Sequence, residues 1–198
     1  MDAYKKEGVP IFGITVDNEP KAGDDPNYKF NSLGFTPELQ RDFIKMDLGP
    51  ILEAAGYGIN TTDLMIFDDQ RSKIHLWAET ILKDKDAAKY VSGTAFHWYE
   101  NTDENVVNLE KAHHSDPTKY ILNTEACEEW HGKSTHVHLG SWHLFERYAK
   151  DILVVCFAYL SSENQYIIIL PFYRILTIGS PVGLIGTWSL ICKVVLTG

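Results

Sequence analysis

The sequence predicts an α/β domain with a parallel central sheet. As far as Asp151, short apolar segments rich in β-branched and aromatic residues alternate with segments whose apolar residues recur every three or four positions. The 198 residues, 44% of them apolar and 12% aromatic, suffice for one globular domain with a core. Because strands and helices alternate, two arrangements stay open: a doubly wound sheet or part of a (β/α)₈ barrel.

Four buried parallel strands are predicted from the apolar segments. They are Val9–Val16, Leu64–Phe67, Gly93–Phe96 and Tyr120–Thr124. The clearest helix begins after Thr36, whose hydroxyl can cap free backbone N–H groups, and Pro37 suits the first helical position. The Gly49-Pro50 pair is expected to break or kink this helix. Further helices are predicted at Leu76–Lys83, Glu104–Ala112 and Ser141–Lys150.

Polar residues follow each predicted strand, and this pattern indicates where a site would form. The four strands are followed by Asp17-Asn18-Glu19-Pro20, Asp68-Asp69-Gln70-Arg71, His97-Trp98-Tyr99 and Glu125-Ala126-Cys127. In parallel α/β folds the active site lies at the carboxyl ends of the strands. On a closed barrel, Glu19 and Glu125 would face each other across the mouth, and two facing carboxylates are the groups that hydrolyse glycosides.

The composition argues against several other classes of protein. Eighteen Lys and Arg residues stand against 27 Asp and Glu, for a net charge of −9, and no basic stripe interleaved with aromatic residues is present, so nucleic-acid binding is not predicted. No Gly-rich phosphate-binding motif follows a strand. The histidines His131, His136, His138 and His143 lack a known ligand spacing, so the sequence predicts no metal site and no cofactor.

Five segments in the first 152 residues form a recognisable set of motifs: ITVDNEPKAGDDPNYKFNSLGFTPELQR, LMIFDDQR, AAKYVSGTAFHWY, LNTEAC and LGSWHLFERYAKDI. Together, and in this order, they resemble one enzyme family, the glucosylceramidases, which are β-glucosidases that cleave glucosylceramide. This resemblance implies that residues 1–152 form an incomplete (β/α)₈ TIM barrel, corresponding to about strands four to seven of the eight that a complete barrel needs.

The resemblance also assigns roles to individual residues. It implies that Glu19 is the general acid/base and Glu125 the nucleophile of a retaining mechanism, in which the like charge of Glu125 raises the proton affinity of Glu19. It implies that Asn18 hydrogen-bonds the sugar 2-hydroxyl. The other residues expected to contact or orient the substrate are Tyr28, Phe30, Asp68, Gln70, Arg71, His97, Trp98 and Tyr99.

The last 46 residues differ in composition from the rest of the chain. Only Glu163, Arg174 and Lys193 are charged after Asp151, and residues 153–198 depart from the family pattern, so they are interpreted as a divergent apolar tail. The uncharged run Ile175–Cys192 is near the lower length limit for a bilayer span and is a candidate membrane segment. A truncated, catalytically inactive chain and a membrane-tethered fragment therefore remain alternatives to an active glucosylceramidase.

The family resemblance carries further expectations about partners and location. It implies a glycosphingolipid substrate, a lysosomal location, and dependence on an activator protein and anionic lipid. The first residues, Met1–Glu7, do not have the pattern of a secretory signal. Location is therefore an expectation from the family alone.

Overall fold

Four parallel strands form the centre of the sheet, as the alternation of segments predicts. The computed structural model describes residues 1–29, 31–127, 140–160, 167–171 and 192–196. In chain order the four strands are β1 (Gly13–Thr15), β2 (Asp63–Gln70), β3 (Gly93–His97) and β4 (Tyr120–Glu125), and each is parallel to the next. Strands that follow one another without a reversal of order are typical of a barrel, whereas a doubly wound sheet reverses at a switch point.

The helices lie beside one another along the sheet. Helix α1 spans Asp2–Lys6, a 3₁₀ helix spans Pro20–Asp24, and the remaining helices are α2 (Pro37–Phe43), α3 (Gly49–Ala54), α4 (Ile74–Leu82), α5 (Lys85–Ala88), α6 (Asp103–Ser115) and α7 (Trp142–Leu160). Helix α4 contacts both α2 and α6, and α6 contacts α7. Because these successive helices touch, they share one face of the sheet, which confirms the incomplete-barrel prediction over the doubly wound one.

The start of the first long helix is confirmed, and its α-helical geometry is interrupted just before Gly49. The Thr36 hydroxyl accepts a hydrogen bond from the Leu39 N–H at 3.2 Å. From α2 the chain passes through a π-helical turn at Ile44–Leu48 into α3, which begins at Gly49, where the sequence predicts a break or kink. Gly49 lies against the Tyr90 ring, where a Cβ atom would come within 2.4 Å of ring carbons, and proline is tolerated in the first turn of a helix.

Alternate residues of the strands face two separate apolar groups. Leu64, Ile66 and Ile121 point toward the helices and join the main core with residues of α4 and α6. Met65 and Leu122 belong to a smaller group on the opposite face, the side that becomes the interior of a barrel. Both faces of these strands are therefore apolar. Burial on both faces explains why their sequences are almost continuously hydrophobic.

The chain beyond residue 152 continues directly from the barrel segment. Helix α7 runs across the predicted boundary as far as Leu160. Strands β5 (Ile167–Pro171) and β6 (Cys192–Leu196) pair antiparallel with each other, and β6 pairs antiparallel with β4. In the parts of the chain that the structure describes, no helix combines the length and apolar character needed to cross a bilayer. The candidate membrane segment lies outside the described residues except for Cys192.

A buried ion pair joins the sheet to α7. Arg71 is fully buried, and its Nη2 atom lies 2.7 Å from Oδ1 of Asp151, which is 6% exposed. The Asn101 side-chain amide also donates to Asp151 Oδ1, at 3.2 Å, and the Arg71 guanidinium lies over the Phe96 ring. This pair connects β2 to a helix 80 residues away in sequence.

Replacement of Asp151 by Ala is expected to lower the free energy of unfolding by about 3–5 kcal/mol, because it leaves the Arg71 guanidinium buried without its carboxylate. Glu146→Ala, a change on the exposed face of the same helix, is the matched control and should cost less than about 1 kcal/mol. Urea unfolding of both variants measures the difference. Equal losses in the two variants would show that the buried pair contributes no more than a surface residue.

Candidate active site

Carboxylates and a histidine meet at the carboxyl ends of the four parallel strands. Glu19 follows β1, His97 is the last residue of β3, and Glu125 is the last residue of β4. One side-chain oxygen or nitrogen of each of these three residues lies within 4.8 Å of those of the other two. The structure therefore brings together the two glutamates, which are 106 positions apart in sequence.

The backbone at Glu19 has a conformation that residues other than glycine rarely adopt. Its φ and ψ angles are 48° and 59°, in the left-handed region, and its N–H donates to the carbonyl oxygen of Asp68 at 2.9 Å. Such a conformation costs on the order of 1–3 kcal/mol and persists where surrounding contacts hold it in place. The left-handed residue turns the chain from β1 into the 3₁₀ helix and directs the Glu19 side chain over the strand ends.

A bulge in β2 places Asp68 in the site. Phe67 and Asp68 have φ angles of 75° and 64°, and the pairing of β2 with β3 shifts register between Phe67 and Asp69. The fully buried side chain of Gln40, on α2, accepts a hydrogen bond from the Phe67 N–H at 3.0 Å. Because of the bulge, Phe67 joins Ile66 in the core on the helix side. The chain then directs Asp68 toward His97.

Three donors surround the Glu19 carboxylate. The Tyr28 hydroxyl donates to its Oε2 atom, the Gln70 side-chain amide donates to Oε1 at 2.8 Å, and His97 Nδ1 lies 3.1 Å from Oε1. The hydrogen bond with His97 lowers the pKa of Glu19 below its ordinary value, against the opposing effect of burial. The carboxylate of Glu19 is therefore held in its ionised form in the absence of substrate.

His97 lies between carboxylates on both sides of its ring. It is 1% exposed, and its Nε2 atom lies 3.2 Å from Asp68 Oδ1 and 3.8 Å from Glu125 Oε2. Burial opposes protonation of the ring, but the hydrogen bonds with Asp68 and Glu19 outweigh it and raise the pKa of His97 to about 9. At neutral pH the ring is an imidazolium ion that donates from both nitrogens.

Asp68 is held by hydroxyl groups from β1 and β4. Its Oδ2 atom accepts from the Thr15 hydroxyl at 2.7 Å, and its Oδ1 atom accepts from the Thr124 hydroxyl at 2.5 Å. Asp68 is 6% exposed, so its carboxylate faces His97 and the two threonines more than the open mouth of the site. This carboxylate fixes the orientation of the His97 ring.

Glu125 is the more open of the two glutamates. Its side chain is 39% exposed, compared with 16% for Glu19, and its Oε1 atom accepts from the Tyr99 hydroxyl at 2.7 Å. The Tyr99 backbone N–H donates to Gln70 Oε1 at 3.0 Å. Gln70 therefore connects Glu19, through its amide NH₂, to the residue that holds Glu125. Burial and the bond to Glu125 raise the pKa of Tyr99, so its hydroxyl stays a donor.

The predicted effect of one glutamate on the other is wrong. From the sequence, the negative charge of Glu125 is expected to raise the proton affinity of Glu19. In the structure the pKa of Glu19 is lowered instead, because His97 donates a hydrogen bond to its carboxylate. The sequence separates His97 from both glutamates and gives no sign that its imidazolium lies between them.

The other predicted site residues lie in different environments. Asn18 is exposed beside Glu19. Trp98 is 4% exposed, its ring is stacked on that of Tyr148 in α7 at 4.7 Å, and its N–H donates to the Cys127 carbonyl oxygen. Arg71 lies in the buried pair with Asp151. Phe30 and the cluster His131, His136 and His138 lie outside the described residues.

Three contributors to the site escape sequence reasoning. Thr15 and Thr124 hold Asp68, and the sequence signal that could have found them is their place near the carboxyl ends of β1 and β4. The third is Asp69, which belongs to the polar residues after the second strand but receives no role of its own from the sequence. In the structure it is 2% exposed and bonded to the segment that follows Glu19.

The donor set of Glu19, His97 and Glu125 has the residue types of a metal site. A metal bound through His97 would have to displace one of its two protons, yet both nitrogens lie within 3.2 Å of carboxylate oxygens and the pKa of the ring is raised to about 9. This arrangement is an acid–base network of hydrogen bonds, in which the imidazolium itself supplies the positive charge.

The fold and the site together define a class of protein. A parallel sheet in sequential order with its helices on one face is the architecture of (β/α)₈ barrels, and two carboxylates facing each other at the strand ends are typical of barrel glycoside hydrolases. Residues 1–171 match the glycosyl hydrolase family 30 TIM-barrel domain. The chain belongs to this family.

Relatives of known name are similar over most of the chain. Glucosylceramidase 2 and glucosylceramidase 1 of Caenorhabditis elegans are 44% and 42% identical to it over 153 residues, and the mouse lysosomal acid glucosylceramidase is 40% identical over 154 residues. Each alignment covers 77% of this chain and 29% of the relative. The chain thus aligns with less than a third of the length of these relatives.

Solved structures share the fold. An endo-β1,6-glucanase matches with a TM-score of 0.52 and 33% identity, over 63% of this chain and 26% of the glucanase. SrfJ from Salmonella typhimurium matches with a TM-score of 0.62 and 23% identity, over 77% of this chain and 32% of that protein. The glucanase is similar to this chain in both fold and sequence. The match to SrfJ supports the fold alone.

The stability of the chain is expected to fall as the pH rises from 6.5 to about 9, because the pKa of His97 lies near 6.5 when unfolded and near 9 in the folded chain. The stabilisation is fully present below the unfolded pKa and is lost as the folded pKa is passed, with a loss of roughly 3 kcal/mol. Urea unfolding at several pH values measures it. His97→Asn should flatten this dependence, whereas His114→Asn, at an exposed histidine of α6, should not. Parallel pH profiles for His97→Asn and the wild type would contradict the assignment.

Proposed function

We propose that this chain carries the catalytic centre of a retaining β-glucosidase of the glucosylceramidase type. The observation that carries the proposal is the distance between Glu19 and Glu125, whose side-chain oxygens lie within 4.8 Å of each other. Retaining glycosidases hold their two carboxyl groups about 5–5.5 Å apart, whereas inverting enzymes leave about 6.5–9.5 Å for a water molecule. The short separation favours a double displacement.

Glu125 is the proposed nucleophile. Tyr99 holds its Oε1 atom, and the exposure of the side chain leaves room for the Oε2 atom, 3.8 Å from His97 Nε2, to approach the anomeric carbon of a β-glucoside. Attack forms a glucosyl ester with Glu125 and breaks the bond to the leaving oxygen. Water then attacks the same carbon from the opposite face and releases glucose with its original configuration.

Glu19 is the proposed general acid and base. Its carboxyl group must give a proton to the leaving oxygen in the first step and take one from water in the second. The pKa of Glu19 is lowered, and the His97 Nδ1 atom, 3.1 Å away, is the proposed proton source for its carboxylate. A substrate that excludes water from the site would favour this transfer, because desolvation disfavours both the carboxylate and the imidazolium.

The remaining predicted residues have supporting parts in this proposal. Asn18 is proposed to bond the 2-hydroxyl of the sugar, and Tyr28 and Tyr99, which bond to Glu19 and Glu125, are proposed to orient the two carboxylates. The polar network of Asp68, His97 and Gln70 holds them in position. Phe30 is proposed to line the rim, and Trp98 to support it through its stack on Tyr148. Arg71 is proposed to act at a distance, through its pair with Asp151.

The proposed substrate is glucosylceramide, since the similar proteins of nematode and mouse are named glucosylceramidases. Sphingolipid metabolism, a lysosomal location, and help from an activator protein and anionic lipid are part of the same proposal. The lysosomal part is supported by the name of the mouse relative.

Incubation with a 2-deoxy-2-fluoro-β-glucoside that carries a dinitrophenolate leaving group is expected to add one fluoroglucosyl group to the chain, because the fluorine slows hydrolysis of the ester at Glu125. Intact-mass analysis measures the addition. Glu125→Gln should stay unlabelled, whereas Glu53→Gln, at an exposed position on α3, should be labelled like the wild type. Glucosylceramide in vesicles should slow the labelling, and galactosylceramide should do so less.

Two results would contradict the proposal. Labelling of Glu125→Gln would show that Glu125 is not the nucleophile. An unlabelled wild-type chain, beside a labelled full-length mouse enzyme as positive control, would favour the alternative of an inactive chain that carries the residues of the site without a working pocket.

Glu19→Ala is expected to lower kcat/KM on phenyl β-glucoside by about 10²–10⁴-fold, because a phenolate leaves slowly without a proton. The same variant should lose far less on 2,4-dinitrophenyl β-glucoside, whose leaving group needs no acid. Initial-rate kinetics on the two substrates test this. Added azide should rescue turnover of the activated substrate by replacing the base-assisted water. Equal losses on both substrates, with no rescue, would remove Glu19 from the role of acid/base.

A further inference from the structure

We infer that Asp69 is a positioning residue for Glu19, and that it acts through the backbone and side chain of Lys21. The inference rests on the proposed role of Glu19 as the general acid/base. Asp69 lies in β2, between two residues whose groups contact Glu19 directly, and its own carboxylate binds the segment that follows Glu19.

The carboxylate of Asp69 holds Lys21 at two points. Its Oδ2 atom accepts from the Lys21 backbone N–H at 3.1 Å, and its Oδ1 atom lies 3.1 Å from the Lys21 ammonium nitrogen. Asp69 is 2% exposed. Burial raises the pKa of this carboxyl, while the charge of Lys21 and two backbone N–H groups oppose the rise. A buried carboxylate with these partners is costly to move, so it is a fixed point for the loop.

Three consecutive residues of β2 therefore hold the loop: Asp68 and Gln70 bind Glu19, and Asp69 binds Lys21. The Asp68 carbonyl accepts from the Glu19 N–H at 2.9 Å, and the Gln70 amide donates to the Glu19 carboxylate at 2.8 Å. The contact between Asp69 and Lys21 lies on the other side of the left-handed turn at Glu19. A left-handed conformation in a residue other than glycine relaxes unless the chain on both sides of that residue is held. Asp69 holds the side that follows Glu19, by binding Lys21.

This arrangement predicts a specific defect when Asp69 is changed. A small rotation of the loop would move the Glu19 carboxyl away from the leaving oxygen, while Glu125, on β4, would stay in place. Substrates that need protonation of the leaving group would then react slowly, and substrates with an activated leaving group would not. A loss of general stability would slow both kinds of substrate equally.

The test compares Asp69→Asn with Asp63→Asn, which makes the same change at the opposite end of β2. Asp69→Asn is expected to lower kcat/KM about tenfold or more on phenyl β-glucoside and less than about twofold on 2,4-dinitrophenyl β-glucoside. Its KM for both should stay within about twofold, and fluoroglucosyl labelling of Glu125 should proceed at the wild-type rate. Asp63→Asn should show no dependence on the leaving group.

Lys21→Met is the second variant, because it keeps the backbone bond and removes only the ammonium group. Lys21→Met should show the same dependence on the leaving group, with a smaller loss of kcat/KM than Asp69→Asn. In the double variant, the fold-loss of kcat/KM should be less than the product of the two single fold-losses. Lys21→Met keeps the test decisive if Asp69→Asn is poorly folded, as monitored by its melting temperature.

The possible failures are distinguishable. An active wild-type chain in which both variants lose activity equally on the two substrates, or lose none, overturns the positioning role and leaves the proposed function intact. A wild-type chain that neither hydrolyses the activated glucoside nor accepts the fluoroglucosyl group overturns the proposed function, and this inference with it.

Discussion

The site depends on one buried positive charge between three carboxylates. The His97 ring lies within 3.2 Å of Glu19 and Asp68 and 3.8 Å from Glu125, and its raised pKa keeps it protonated at neutral pH. Without that charge, three acidic groups at the strand ends would repel one another in a partly desolvated place. The imidazolium allows the two glutamates to lie close together, and Asp68 and the threonines that bind it fix the ring in place.

The strained backbone conformations lie at the strand ends that carry the acidic side chains of the site. Phe67, Asp68 and Glu19 are the residues other than glycine with positive φ in the described parts of the chain, and all three lie at the strand ends that form the site. The contacts that hold them come from residues other than Glu19 and Glu125. The Gln40 side-chain amide on α2 binds the bulge, and the Asp69 carboxylate binds the loop after Glu19. A helix thus helps to fix the backbone of the site, and a substitution such as one at Gln40 can alter the position of Asp68.

The fold was largely readable from sequence because its signals are local. The Thr36 cap, the apolar period of α4 and the apolar β2, β3 and β4 segments each specify a nearby conformation, and the structure contains them. The contact of Gly49 with the Tyr90 ring was not readable from the sequence, because it joins two segments that are far apart in the chain. The position of Arg71 was also unreadable, since its partner Asp151 lies 80 residues away.

The sequence by itself determined the class of fold, the two glutamates and their place at strand ends, because parallel strands bring their carboxyl ends together whatever lies between them. Only the tertiary structure decided how those groups ionise and which residues hold them. The lowered pKa of Glu19, the protonated His97 and the clamp of Asp69 on Lys21 depend on distances of about 3 Å between segments far apart in the chain. Electrostatic and hydrogen-bond energies change steeply over such distances, and no local pattern of residues records them.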